Sequence, residues 1–274
     1  MSGHLVLDDV GKVYRTSRAP VTAVQGCSLE IAPGELHVIV GPSGCGKSTL
    51  LGAVAGFTEI TSGRIELDGE LLCGPGRPSA AIGSDRVVVF QDSTLFPWFT
   101  VAENVVYGLT VGRRTGRRAA LDRARALLDQ VGLGELADRY PGELSSGSRR
   151  RVEILRALVL EPAVLLLDEP FRGMDAVSRA GMHEALLEMY DRAGVTVLFI
   201  THDIEEAVYL GSHVTVMTTR PGRVKTTIEI GLDRPRDHTV VTSPEFRRLV
   251  GEVSDAVRDE ARLAFEAGER EMAG

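Results

Sequence analysis

Nine consecutive residues, Gly41, Pro42, Ser43, Gly44, Cys45, Gly46, Lys47, Ser48 and Thr49, match G-x-x-x-x-G-K-[ST] in full. Glycines in such a run let the backbone curl until successive N–H groups point at one anion. A helix starting there adds its positive dipole end. Lys47 has the charge and reach for the β- and γ-phosphates of a nucleotide, and the Ser48 hydroxyl suits a Mg²⁺ position. The pattern holds phosphate only when a strand leads in and a helix leads out. Leu36 to Val40 is an apolar run that reads as a buried strand, and Leu50 to Ala55 reads as a helix start. The context predicts a nucleoside triphosphate site rather than a Gly-rich turn that happens to contain Lys-Ser.

Two carboxylates follow a second buried run. Val164 to Leu167 ends in Asp168 and Glu169, and in open α/β sheets ligands gather outside the C-terminal ends of the strands. Asp168 would hold Mg²⁺ and Glu169 would polarise an attacking water; alone, the pair could equally cap the strand before Pro170. Gln91, after the apolar run Arg86 to Phe90, is placed to reach Mg²⁺ and the water. His202, after Val195 to Ile200, is placed to touch the γ-phosphate, and Asp175 lies in a turn shortly after Glu169. Each of these three is a solvated polar residue if taken singly; their order along one strand edge singles them out. Tyr14 is a candidate to stack on the base, with core packing as its other reading. Ser145 and Gly147, in Leu144 to Ser148, precede a helix predicted from Val152. Small residues there suit an anion or a plain Ser N-cap.

The elements that must position these residues are legible in outline. Leu5 to Val10 alternates and Val21 to Ile31 reads as a strand, ahead of a Pro33-Gly34 turn. Arg64 to Gly69 reads as a hairpin strand closed by Asp-Gly. From Ser93 to Leu160 the pattern turns helical, with helices predicted over Ala119 to Val131 and Val152 to Leu160. Val164 to Leu167 and Val195 to Ile200 are continuous apolar runs of the kind found in parallel sheets covered on both faces, with a helix over Ser178 to Ala193 between them. After Pro244, Phe246, Leu249, Val250, Val253 and Val257 share one helical face, which predicts packing on the core or on a partner. The class is α/β, a mostly parallel core interrupted by a helical insertion.

Composition narrows the function. The 274 residues are 43% hydrophobic and 25% charged, ordinary for a soluble globular chain. A net charge of −7 argues against nucleic acid as the main partner. Cys27, Cys45 and Cys73 have no metal-ligand spacing and leave an odd count, which fits a reduced, cytosolic setting. The N-terminus does not resemble a signal peptide, and no apolar run approaches the roughly 18 residues of a membrane helix.

In this order, the motifs resemble the ATP-binding subunit of an ABC transporter over about Leu5 to Val224. Gly41–Thr49 resembles the Walker A loop, Val164–Glu169 the Walker B strand with its glutamate, and Gln91 the Q-loop. Asp175 resembles the D-loop aspartate, His202 the switch histidine, Tyr14 the A-loop aromatic and Leu144–Ser148 the signature. The resemblance implies a P-loop NTPase core, an antiparallel β-subdomain and an inserted α-helical subdomain. It divides the chain into an ATPase domain over 1–230, with the helical part about 93–160, and a helical extension over 231–274. It further implies ATP and Mg²⁺, and a second ATPase subunit (a homodimer) closing head-to-tail so that each signature meets the ATP held by the other subunit.

The chain departs from the pattern at Ser146 and Ser148 of the signature and at Arg172, where related importers usually carry Gly. A positive φ at Ser146 would cost about 1 kcal/mol; a working but slowed ATPase is expected. Leu95-Phe96-Pro97-Trp98 and Thr201–Ala207 are similar to the nitrate/sulfonate/taurine importer branch, and the tail after about Arg223 is too short for the regulatory β-domain of sugar importers. That branch implies a bacterial importer of a small polar or anionic nutrient, with permease subunits, an extracytoplasmic binding protein and a place on the cytoplasmic face of the membrane. Phe96, Pro97, Trp98 and Phe99 would then grip the permease, or else form a satellite core. A soluble ABC ATPase acting on nucleic acid or ribosomes is the alternative, drawing on Arg113, Arg114, Arg117, Arg118, Arg123 and Arg125 as a basic patch. A P-loop kinase would leave Leu144–Ser148 and His202 without a role.

Overall fold

A computed structural model describes residues 3–17, 19–111, 116–219 and 221–273, with backbone alone at 261 and 263–273. Its centre is a six-stranded sheet in the order β10-β9-β3-β8-β7-β6. The strands are β3 (Leu36–Val40), β6 (Arg86–Val89), β7 (Val164–Asp168), β8 (Thr196–Ile200), β9 (His213–Met217) and β10 (Val224–Glu229). All pair in parallel except β10, which returns antiparallel to β9. Parallel neighbours need crossovers. These include α1 (Lys47–Ala55), α5 (Ala176–Ala193) and α6 (Ile204–Leu210). Every residue of β3 and β8 is buried, as strands covered on both faces must be.

Register is what aligns the chemistry. Ile39 pairs with Ile200, and Ile200 pairs with Asp168, so the chain segments after β3, β7 and β8 leave from one edge of the sheet. The Gly41–Thr49 loop, Glu169 and His202 are therefore neighbours despite their distance in sequence.

The remaining strands, β1 (Leu5–Tyr14), β2 (Val21–Ile31), β4 (Ser62–Leu67) and β5 (Glu70–Cys73), form an antiparallel sheet in the order β2-β1-β4-β5. The β4–β5 turn places Asp68 and Gly69 at φ 52° and 79°, the double positive φ that an Asp-Gly hairpin supplies. One apolar cluster lies between this sheet, α1 and the inner face of the parallel sheet, around Leu5, Ile31, Leu50, Val54 and Ile65. A second fills the space under α2 (Val101–Val111), α3 (Arg117–Gln130) and α4 (Ser146–Leu158).

The elements α4, β9 and β10 depart from the sequence reading. α4 begins at Ser146, six residues before the expected Val152, because Ser145 caps it and Arg150 is buried. The strands β9 and β10 extend the sheet where periodicity predicted nothing. The tail packs on the core: Phe246, Leu249 and Val253 of α7 (Pro244–Ala273) are each at most 3% exposed. Each such burial contributes about 1.5–3 kcal/mol. The approach to α7 is fastened by buried Arg236, which donates to the carbonyls of Tyr209 (2.8 Å), Gly211 (2.9 Å) and Leu232 (2.9 Å). Burial lowers its pKa to about 10, so it stays charged. No described helix is long and apolar enough to cross a membrane.

Candidate active site

The phosphate loop is built by close packing around its glycines. Gly46 caps α1 at φ 95°, and a Cβ there would stand 2.8 Å from the Ala23 carbonyl. Gly222 approaches the loop from outside; a Cβ on it would lie 1.9 Å from the Cys45 carbonyl. Gly46 offers no capping side chain, so the first-turn N–H groups of α1 remain available to an anion. Lys47 is 6% exposed, and its Nζ donates to the carbonyls of Gly41 at 2.7 Å and Pro42 at 3.1 Å. Cys45 is buried and its thiol is pushed up by that burial, leaving it a protonated packing residue.

The carboxylates meet this loop. Ser48 Oγ donates to Asp168 Oδ1 at 3.1 Å. Burial raises the Asp168 pKa; the Ser48 hydroxyl works against that shift and the Glu169 charge adds to it. A hydroxyl and a carboxylate side by side, both hard oxygen donors, suit Mg²⁺. A carboxyl raised on folding keeps its proton to higher pH in the native state, so stability is lost as pH climbs through the raised value. Asp168→Asn, which still accepts from Ser48, is therefore expected to raise the urea midpoint more at neutral pH, above the raised value, than near the ordinary aspartate value of 3.8. Mg²⁺-dependent nucleotide binding should be lost in the same protein. An equal or lower midpoint at the higher pH would refute this electrostatic account.

Glu169 sits at φ 44°, a sparsely populated conformation for a non-glycine residue, held by its N–H to the Ile200 carbonyl at 2.9 Å. Such strain is characteristic of functional positions. The turn brings Glu169 Oε2 to 3.2 Å from His202 Nδ1 and 3.3 Å from Arg172 Nη1. Arg172 Nη1 also donates to Gln91 Oε1 at 3.3 Å. Sequence reasoning missed what fixes Gln91. Arg150 of α4 donates to the carbonyls of Phe90 (2.6 Å) and Gln91, and pairs with Glu153 at 2.7 Å. Glu153 in turn accepts from Ser93 Oγ and from the Thr94 N–H, both at 2.7 Å. Both side chains are buried, and the Arg150–Glu153 spacing of three residues within one helix was the available signal.

Other predicted residues stand apart. Ser145 is the N-cap of α4; its Oγ accepts from the Ser148 N–H at 3.1 Å. Ser146 is the first residue of that helix and has no positive φ, so the backbone cost anticipated there does not arise. Gly147 would tolerate a Cβ, with its nearest neighbours 3.9 Å or more away. Among the described residues, none of Leu144–Ser148 hydrogen-bonds to Gly41–Thr49. Asp175 is exposed and caps α5, accepting from the Ser178 N–H at 3.0 Å; the Ser178 hydroxyl and, after it, that N–H hold its carboxyl below the usual range. Tyr14 is 40% exposed rather than core, with its hydroxyl 3.4 Å from Thr49 Oγ1 and the Lys12 ammonium 4.9 Å from its ring centroid.

On the insertion, Trp98 is 67% exposed while Phe96, Phe99 and Tyr107 pack on one another. Buried Asn104 ties that loop, accepting from the Phe96 N–H and donating to the carbonyls of Phe96, Phe99 and Thr100. Beside it lies a groove of about 410 Å³ lined by Phe90, Phe96, Tyr107 and Leu160. Of the basic residues, Arg117, Arg123 and Arg125 pair with Glu103, Glu161 and Asp138, the arrangement of a solvated helix face. Arg113 and Arg114 lie outside the described residues.

The comparisons agree with this geometry. The ABC transporter family profile matches residues 24–172. The chain is 40% identical over 261 residues to the nitrate import ATP-binding protein NrtD of Synechocystis, covering 93% of this chain and 95% of that one. It is 43% identical over 238 residues to the taurine import ATP-binding protein TauB of Rhizobium johnstonii, covering 85% and 88%. It is 39% identical over 249 residues to the bicarbonate transport ATP-binding protein CmpD of Synechocystis, covering 89% and 86%. Among solved structures, the ATP-binding cassette MJ0796, a dimer in a post-hydrolysis state bound to ADP and Pi, superposes with a TM-score of 0.69 at 27% identity. That match covers 84% of this chain and all of the other. With a phosphate loop, paired strand-end carboxylates and a histidine on one sheet edge, and these relatives along most of its length, the chain belongs to the ABC transporter family as an ATP-hydrolysing cassette.

Proposed function

We propose that this protein is the ATP-hydrolysing subunit of an importer for a small polar or anionic nutrient, working on a separate membrane permease. The observation that carries the proposal is the convergence of Lys47, Ser48, Asp168, Glu169 and His202 at one sheet edge, in a chain about 40% identical to nitrate, bicarbonate and taurine transport subunits. Two of those three solutes are small oxyanions, and the third carries a sulfonate.

In this reading Lys47 and the N–H groups of Gly41–Thr49 bind the phosphates, and Tyr14 stacks on the base. Ser48, Asp168 and Gln91 hold Mg²⁺, which neutralises phosphate charge when bound. Glu169 orients a water and takes its proton, while His202 steadies Glu169 and reaches the γ-phosphate. Ser145, Gly147 and Asp175 serve the ATP of a second, identical subunit. The exposure of Ser145 and Asp175, and the lack among the described residues of hydrogen bonds from the signature to this chain's own loop, support that division of labour. The groove beside Phe96 and the exposed Trp98 receive the permease, which keeps the ATPase peripheral on the cytoplasmic face of the membrane; an extracytoplasmic binding protein delivers the solute.

Affinity purification of the tagged full-length protein from membranes checks the reading. Recovery of a polytopic permease is the expected result. Recovery of ribosomes or DNA without a permease would overturn it.

A further inference from the structure

Arg172 touches both groups on which hydrolysis depends, and it does so at their acceptor atoms. Its Nη1 is 3.3 Å from Glu169 Oε2 and 3.3 Å from Gln91 Oε1. Glu169 Oε2 also faces His202 Nδ1 at 3.2 Å. A carboxylate oxygen has two lone-pair positions; the Arg172 donor takes one and the His202 ring crowds the other, so Oε2 has little to offer a water. At Gln91, a guanidinium on the amide oxygen excludes a second cation from that oxygen by charge as well as by space.

We propose that Arg172 is a positioning residue that restrains Glu169 and Gln91, and that turnover requires its release from both. The inference rests on the roles assigned to Glu169 and Gln91 under the proposed function. Arg172 is 57% exposed at its side chain, and both contacts are long. Contacts of that kind are weak, as a restraint released in every cycle must be. The same placement accounts physically for the slowed turnover expected from an arginine at this position.

The test compares the full-length protein with Arg172→Met, which keeps the bulk and removes the charge, and Arg172→Lys, which keeps the charge. For Arg172→Met, kcat is expected to rise about two- to fivefold, the range that exposed charge contacts support. KM for ATP with Mg²⁺ should fall by a similar factor, and Arg172→Lys should stay near the parent. Calorimetry with a non-hydrolysable ATP analogue supplies a readout without turnover. Its affinity should rise in Arg172→Met by a similar factor with Mg²⁺ present and stay unchanged without Mg²⁺. A kcat that holds level or falls, or an affinity gain equal with and without Mg²⁺, overturns the restraint. Glu169→Gln run alongside separates the two claims. If that variant still hydrolyses ATP, the site reading itself fails; if it is dead while Arg172→Met gains nothing, only the restraint fails.

Discussion

Glu169→Gln is expected to lower the ATPase kcat by about 10²–10⁴-fold, the contribution typical of a positioned general base. The amide matches the carboxylate in size and keeps an oxygen for His202 and Arg172, so the turn at φ 44° has no reason to change. What it loses is the ability to take a proton from water. Nucleotide binding should survive, because Lys47, Ser48 and the N–H groups of the loop are untouched. Steady-state phosphate release and equilibrium binding of ATP are the two measurements. A variant that keeps more than about a tenth of parental turnover would assign the base to another residue.

Arg150→Met carries the largest expected effect on stability. It strands Glu153, which is 2% exposed, as an unpaired buried carboxylate, a change that costs about 3–5 kcal/mol. At about 2–4 °C per kcal/mol for a chain of this size, Tm should fall by roughly 10 °C. It also frees the carbonyls of Phe90 and Gln91 from α4, so activity should fall even where the protein remains folded. Adding Glu153→Gln tests the cause. The neutral amide still accepts from Ser93 and Thr94 but no longer needs a cation, so stability should recover in large part. Activity should not recover with it, because Gln91 is still unfastened. If the double variant is as unstable as the single, the buried charge is not the cause.

What was legible in the chain follows from how each feature is encoded. The phosphate loop is written as a fixed spacing between a buried strand and a helix, and Asp168-Glu169 closes an apolar run; both are local patterns. The helix α4 was read six residues short because its first turn, Ser-Gly-Ser-Arg, is polar and the cap at Ser145 precedes any apolar period. Strand β9 contains a buried threonine bonded to His37 and Thr227, which breaks the apolar run that marks a central strand. The bonds that bury the Arg150–Glu153 pair and the Arg172–Gln91 contact depend on partners 59 to 81 residues away. Charges in mid-helix read as solvated until the fold brings those partners in. Ser146 shows the converse. Its departure from the family pattern suggested strain, yet the first residue of a helix has ordinary φ.

Under the proposed function this chain holds half of each hydrolytic site, with Ser145, Gly147 and Asp175 serving ATP on a second copy. The direct measurement is the mass of Glu169→Gln in solution by light scattering, with and without ATP and Mg²⁺. Unable to hydrolyse ATP, this variant should move from the 29.5 kDa of one chain to twice that mass when ATP is added, and return when ATP is removed. Ser145→Arg, placed on the proposed partner-facing surface, should prevent the shift while leaving ATP binding intact. A variant that stays at the mass of one chain at saturating ATP, or a parent protein that hydrolyses ATP as fast per chain at high dilution as at high concentration, would contradict this.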